Sequence, residues 1–121
     1  MSELTPLPLD PARLGELTFN ETGLIPTVVQ SQSTKEVLML AWMNREALEQ
    51  TFKTGRMWYW SRSRQELWCK GETSGDRQYL REAFLDCDGD TLLFKIEQTG
   101  QGACHTGAPT CFFRSMSDAD N

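Results

Sequence analysis

The sequence has no long hydrophobic run and contains only one histidine in 121 residues. A membrane-spanning helix needs about 20 consecutive apolar residues, so we expect no membrane partner. The first residues also lack the basic and then apolar regions of a secretory signal. We therefore expect a cytoplasmic protein, in which clustered cysteines bind metal or do chemistry more often than they form disulfides.

Positive charge is also scarce, with 12 lysines and arginines against 17 acidic residues and a net charge of -5. Nonspecific nucleic-acid binding requires a basic surface, so we expect no nucleic-acid partner. The basic residues are nevertheless concentrated, because seven of the 12 lie between residues 53 and 81. This segment indicates a small anionic ligand, with an ordinary solvated surface as the alternative.

The length predicts one domain over residues 1–121, with a loose proline-containing arm at 1–15 and a short tail at 115–121. Asn44 as a cap and Gly55 at the end predict one clear helix between them. Most connections are too short for a parallel crossover, so we expect an α+β domain with a mostly antiparallel sheet. Short apolar runs predict about six strands, at 24–30, 36–43, 56–64, 66–71, 78–84 and 91–98.

The segment DCDGD at residues 86–90 is rich in carboxylates. If it is extended, Asp86, Asp88 and Asp90 share one face and Cys87 points to the other. Oxygen ligands alone favour a hard cation, Mg²⁺ or Ca²⁺. An EF-hand loop is a poor alternative, because Thr91 stands where that loop needs glycine and a strand pattern follows. An exposed acidic turn is the other alternative.

A second unusual segment is GACHTGAPTC at residues 102–111. No C-x-x-C pair is present, which argues against a zinc finger or a thioredoxin-like motif. Cys104 and Cys111 could be two buried free thiols. Together with Cys87 they could also form a three-thiolate zinc site that leaves one position open for water. Because Cys87 would point away from the aspartates, we expect a homodimer in which the zinc site is shared between subunits, and we interpret Cys69 as structural.

The combined pattern resembles the phosphoribosyl-AMP cyclohydrolase family of histidine biosynthesis. The matching stretches span about residues 17–114 and read FNETGLIPTVVQ, EVLMLAWMNREAL, YWSRSR, LWCKGETSG, DCDGD, and ACHTG followed by CF. The resemblance implies a homodimer that needs both zinc and Mg²⁺. It would hydrolyse the N1–C6 bond of the adenine ring in phosphoribosyl-AMP, with zinc-bound water as the nucleophile.

Carried over by the resemblance, the zinc ligands would be Cys87 from one subunit and Cys104 and Cys111 from the other. The magnesium ligands would be Asp86, Asp88 and Asp90. Some relatives carry a fused pyrophosphohydrolase domain, and we expect this chain to perform the single cyclohydrolase step.

Several roles stay open at this level. His105 could be the general base, a zinc ligand, or a core histidine. We expect Arg62, Arg64 and Lys70 to contact the substrate phosphate. The loop at 71–76 ends in Asp76, where related sequences usually have asparagine, and this leaves its role undecided. A zinc-stabilised binding module and a thiol redox protein are the rival functions, but neither requires DCDGD.

Overall fold

The computed structural model describes residues 7–117. It is an α+β domain that consists mostly of β-sheet, which confirms the predicted class. Within that part of the chain the elements follow in the order α1 (Pro11–Gly15), β1 (Ile25–Ser31), β2 (Val37–Met43), α2 (Arg45–Thr54), β3 (Trp58–Ser61), β4 (Glu66–Cys69), β5 (Gln78–Leu85) and β6 (Leu92–Gln98). None of the helices in residues 7–117 has the length and hydrophobicity of a membrane span.

The strands form a four-stranded sheet in the order β2-β1-β6-β5 and a separate two-stranded sheet of β3 and β4. Three of the four strand pairs are antiparallel, and β1 pairs with β6 in parallel. The parallel pair is possible because five other elements and their loops separate β1 from β6, which gives the chain room to cross over. The expectation of a mostly antiparallel arrangement is confirmed.

Helix α2 has the boundaries that its sequence predicts. The Asn44 side chain accepts a hydrogen bond from the Ala47 N–H at 2.8 Å, which satisfies one of the free donors of the first turn. Gly55 ends the helix in the left-handed conformation. Inside the helix, the Thr51 hydroxyl accepts from the Trp58 N–H at 2.9 Å, so α2 is fixed directly to β3.

The hydrophobic core lies between α2 and one face of the four-stranded sheet. Alternate residues of β1 and β6 point into it, including Ile25, Val29, Phe94 and Ile96, each at most 1% exposed. The other residues of the same strands therefore face outward, and this outer face of the sheet is only partly buried.

Part of the N-terminal arm has regular structure. Residues 1–6 lie outside the described part of the chain, but Pro11–Gly15 forms the short helix α1 with Asp10 as its N-cap. Leu14 and Leu17 pack against the core. Leu14 and Leu17 follow the last proline of the arm, and the prediction of a loose arm did not take them into account. In the tail, residues 115–117 have no regular structure, and 118–121 are outside the described residues.

Candidate active site

The acidic segment forms a tight turn between β5 and β6. The Asp86 N–H donates to the Thr91 carbonyl at 3.0 Å, and the Asp86 carboxylate accepts from the backbone N–H of Asp90 at 3.0 Å. Gly89 has a φ of 73°, which favours glycine. The segment is therefore a turn and not the extended strand on which the shared-face argument depended, because an aspartate that bonds its own backbone favours a turn.

The turn nevertheless brings the three carboxylates together. Oxygen atoms of Asp86, Asp88 and Asp90 lie within 4.8 Å of one another, and they form the one such group of three among the residues that the structure covers. Hydrogen bonds with Asp88 and Asp86 raise the pKa of Asp90, as crowded acidic groups do. All three residues are exposed. This oxygen-only donor set has the chemistry of a site for a hard divalent cation.

Cys104 and Cys111 lie side by side at the other end of the sheet. The Thr106 hydroxyl donates to the Cys104 sulfur at 3.0 Å, and this bond is the main cause of a lowered pKa at Cys104. The pKa of Cys111 is raised, mainly by desolvation of its thiol and to a smaller extent by the adjacent Cys104. Lys70 favours the thiolate form of both. Two neighbouring thiols with opposite pKa shifts are a suitable pair of ligands for a soft cation, which takes the place of their protons.

The structure does not bring Cys87 to this pair within one chain. Cys87 is exposed in the acidic turn that precedes β6, whereas Cys104 and Cys111 follow β6. The Cys111 N–H donates to the Leu38 carbonyl at 2.7 Å, near the end of the sheet at which β6 finishes. The seven residues of β6 separate the two places. At roughly 3.3 Å per residue, this is a distance of about 20 Å.

A cavity of about 510 Å³ is lined by the loop at 71–76, by β4 with Cys69, and by His105 from the segment that carries the thiol pair. His105 contributes to its wall, and the adjoining Cys104 is buried behind it. Lys70 also contributes and is only 8% exposed, with its ammonium 5.8 Å from the Trp68 ring centre. The wall also includes Trp58, Arg64, Glu66, Trp68, Glu72 and Asp76.

The three predicted phosphate contacts therefore divide into two groups. Arg64 and Lys70 line the cavity, with Arg64 also 3.2 Å from Glu66 in an ion pair. Arg62 does not belong to the cavity wall. Its guanidinium lies over the Trp42 ring at 4.7 Å from the ring centre.

Sequence reasoning did not identify two residues that shape this site. One is Thr106, whose hydroxyl contacts the Cys104 sulfur; a hydroxyl two positions after a cysteine in a glycine-rich turn was the available signal. The other is Gln78, which is fully buried and bonded to both Gln98 and Tyr59, the tyrosine whose pKa Cys69 and Cys111 help to raise. A lone glutamine in a strand gives no comparable signal.

Comparison with known proteins shows the family to which this sequence is related. Residues 39–113 match the family model described as phosphoribosyl-AMP cyclohydrolase. The chain is 62% identical to the phosphoribosyl-AMP cyclohydrolase of a Nocardioides species, over 86% of this chain and 84% of that one. It is 54% identical to the Bordetella parapertussis protein of the same name, over 88% and 80% of the two chains.

A third relative is longer. The chain is 56% identical to the histidine biosynthesis bifunctional protein HisIE of Prochlorococcus marinus, over 91% of this chain and half of that one. A similar share of this chain is therefore aligned with the bifunctional relative and with the relatives that are named only as cyclohydrolases. On the extent and identity of these matches, the chain belongs to the phosphoribosyl-AMP cyclohydrolase family.

Proposed function

We propose that this protein opens the adenine ring of phosphoribosyl-AMP by hydrolysis of the N1–C6 bond, a step of histidine biosynthesis. One observation carries the proposal beyond family membership: Lys70 lines the cavity together with His105, and its charge favours the thiolate form of the neighbouring Cys104 and Cys111. A proton-transfer group and a candidate metal-ligand pair therefore lie in the same part of the molecule. The relatives that this chain covers by four-fifths or more carry the cyclohydrolase name alone, which supports a single reaction.

The cavity walls suit a nucleotide. Trp58 and Trp68 offer aromatic surfaces against which a purine can stack. Lys70 and Arg64 offer positive charge for phosphate, and Lys70 is the stronger candidate because it has little solvent around it. Arg62 is the weakest of the predicted phosphate contacts, since its side chain is already placed on Trp42.

His105 is our candidate for proton transfer. Its side chain is exposed to the cavity, where an imidazole can accept the proton of an attacking water and return one to the ring nitrogen. Its position next to Cys104 in the chain also allows the alternative role of a zinc ligand.

Zinc is the metal that fits the thiol pair, because cysteine thiolates are among its preferred ligands. The lowered pKa of Cys104 favours its thiolate form. Cys104 and Cys111 would hold it, with Cys87 as the third ligand. When bound, zinc supplies a Lewis acid that makes a nucleophilic water available near neutral pH. Mg²⁺ fits the oxygen-only set of Asp86, Asp88 and Asp90, where the close carboxylates need a cation to offset their repulsion.

A two-fold homodimer would complete the zinc site, because Cys87 and the thiol pair lie at opposite ends of β6 in one chain. If two sheets pack face to face about a two-fold axis perpendicular to the strands, the strand directions are reversed across the interface. The acidic turn of one subunit then lies over the thiol pair of the other. Each dimer would contain two such sites.

The outer face of the four-stranded sheet is the surface that we propose for this contact. Val28 pairs with Leu40 and Leu93, and Leu93 pairs with Phe84, so these four apolar residues form a continuous row across all four strands. Leu40 and Phe84 are each 46% exposed. A second copy would bury this row and bring the ends of the two sheets together.

The proposed reaction can be tested by removing the metals and returning them separately. The protein is stripped with a chelator, and ring opening of phosphoribosyl-AMP is followed by mass spectrometry as the gain of one water. We expect activity only when both Zn²⁺ and Mg²⁺ are returned. If zinc binds tightly but no metal combination opens the ring, the proposal fails.

Two cysteine variants serve as a matched pair in this experiment. Cys104→Ala should lose zinc and activity while its circular dichroism spectrum stays folded. Cys69→Ala should keep its zinc: Cys69 lines the cavity, but the thiols that perturb each other's pKa are those of Cys104 and Cys111. Unfolding of Cys104→Ala, or of the stripped protein, would instead indicate a structural zinc module.

A further inference from the structure

Two loops meet at the edge of the cavity and are joined by one backbone hydrogen bond and by bonds of the Thr99 hydroxyl. The Thr99 N–H donates to the Arg77 carbonyl at 2.9 Å, and the Arg77 N–H donates to the Thr99 hydroxyl at 3.0 Å. The Thr99 hydroxyl also contacts the Gly75 carbonyl at 3.2 Å. Residues 75–77 and 99–101 therefore form one joined unit.

Asp76 adds a side-chain bond to this unit. One carboxylate oxygen accepts from the Gln101 N–H at 2.8 Å, a charge-assisted bond between the two loops. The packing is close at this point, because a Cβ atom added to Gly100 would collide with the Asp76 carboxylate. Gly100 also has a φ of 75°, so a larger residue is disfavoured there on both counts.

The segment that Asp76 holds leads directly to the reactive residues. Three positions after Gln101 is Cys104, followed by His105. The backbone of this segment folds into a small hairpin, in which the Ala103 N–H donates to Pro109 at 3.3 Å and the Cys104 N–H donates to Ala108 at 3.2 Å. The hairpin is attached at Gln101 through Asp76 and at its other end through the bond from the Cys111 N–H to the Leu38 carbonyl. The attachment at Gln101 therefore helps to set where His105 meets the cavity.

We propose that Asp76 is a positioning residue for the reaction: its carboxylate fixes the start of the hairpin against the loop at 71–76 and so places His105 in the cavity wall. The inference rests on the proposed function. Asp76 does not need to contact phosphate in this role. The oxygen of its side chain is the required feature, and its negative charge is not.

The test compares kcat and KM of three variants with those of the unaltered protein. Asp76→Ala removes the acceptor and should lower kcat about tenfold while KM changes less than about twofold, since a displaced reacting group affects the chemical step. Asp76→Asn keeps an oxygen in the same place and should restore kcat. Asp10→Ala is the matched control: Asp10 is an exposed aspartate whose carboxylate accepts one backbone bond, from Ala12 at 2.9 Å, and it does not line the cavity that contains His105.

A second measurement does not depend on activity. Amide hydrogen exchange at residues 101–105 should be faster in Asp76→Ala and unchanged in Asp76→Asn. If Asp76→Ala does not fold, Asp76→Glu keeps the charge but displaces the oxygen, and should still lower kcat.

The inference is overturned if Asp76→Ala retains the kcat of Asp10→Ala, if Asp76→Asn is as slow as Asp76→Ala, or if exchange at 101–105 does not change. An unaltered protein that opens no ring would contradict the proposed function instead, so the two failures are distinguishable.

Discussion

Mixing two inactive variants gives a direct test of a zinc site shared between subunits. Cys87→Ala and Cys104→Ala each remove one ligand from every site of their own homodimer. In a hybrid dimer of the two, one site carries both substitutions, and the other combines an intact Cys87 with an intact thiol pair. The hybrid should therefore bind one zinc and have one working site.

The size of the recovery follows from the pairing. When equal amounts are unfolded and refolded together, random association makes about half of the dimers hybrids, each with half of its sites intact, so about a quarter of the original zinc content and activity should return. The distance of about 20 Å between Cys87 and the thiol pair excludes recovery through a site within one chain.

The control uses two variants with defects in the same part of the site. Cys104→Ala mixed with Cys111→Ala should recover nothing, because both substitutions affect the thiol pair and no hybrid contains an intact one. Zinc is measured by atomic absorption and activity by ring opening. Equal recovery in both mixtures, or none in either, would refute the shared site.

Two further predictions concern the acidic turn and the buried tyrosine. Asp88→Asn removes one of three clustered carboxylates and should weaken Mg²⁺ binding about tenfold or more by calorimetry without reducing zinc content, whereas unchanged affinity would argue for an ordinary acidic turn. Burial, with smaller effects of Cys69 and Cys111, raises the pKa of Tyr59 well above its usual value. The folded protein thus keeps a proton that the unfolded chain loses near pH 10, so the free energy of unfolding should fall as the pH rises above about 10. In urea titrations this decline should be smaller in Tyr59→Phe, and an identical decline would contradict the assignment to Tyr59.

Local signals in the sequence predicted the elements of the fold well. Asn44 and Gly55 define α2 because capping depends on residues next to the helix end. Alternating and apolar runs located all six strands found in residues 7–117. The parallel pairing of β1 with β6 was not predictable in this way, because register between distant strands is set by packing across the whole domain.

The candidate site was predictable in its residues more than in its conformation. The segment DCDGD correctly indicated clustered carboxylates. The reason given for the cluster was an extended strand, whereas the structure has a turn that depends on the Asp86 side chain and on Gly89. The N-terminal segment contributes as well, since the Thr18 N–H donates to the Gly89 carbonyl at 2.8 Å. Asp76 could not be interpreted from the sequence, because its partner Gln101 lies in a distant loop.

The parallel pairing also has a consequence for how the chain folds. Thr27 and Leu92 are partners although more than half of the chain lies between them. Closing so long a loop loses chain entropy before any contact compensates for it. The hairpins β1–β2 and β5–β6 need only short loops, so we expect them to form early and to join in a slower, rate-limiting step. Substitutions at the β1–β6 seam should therefore slow folding more than equally destabilising substitutions within either hairpin.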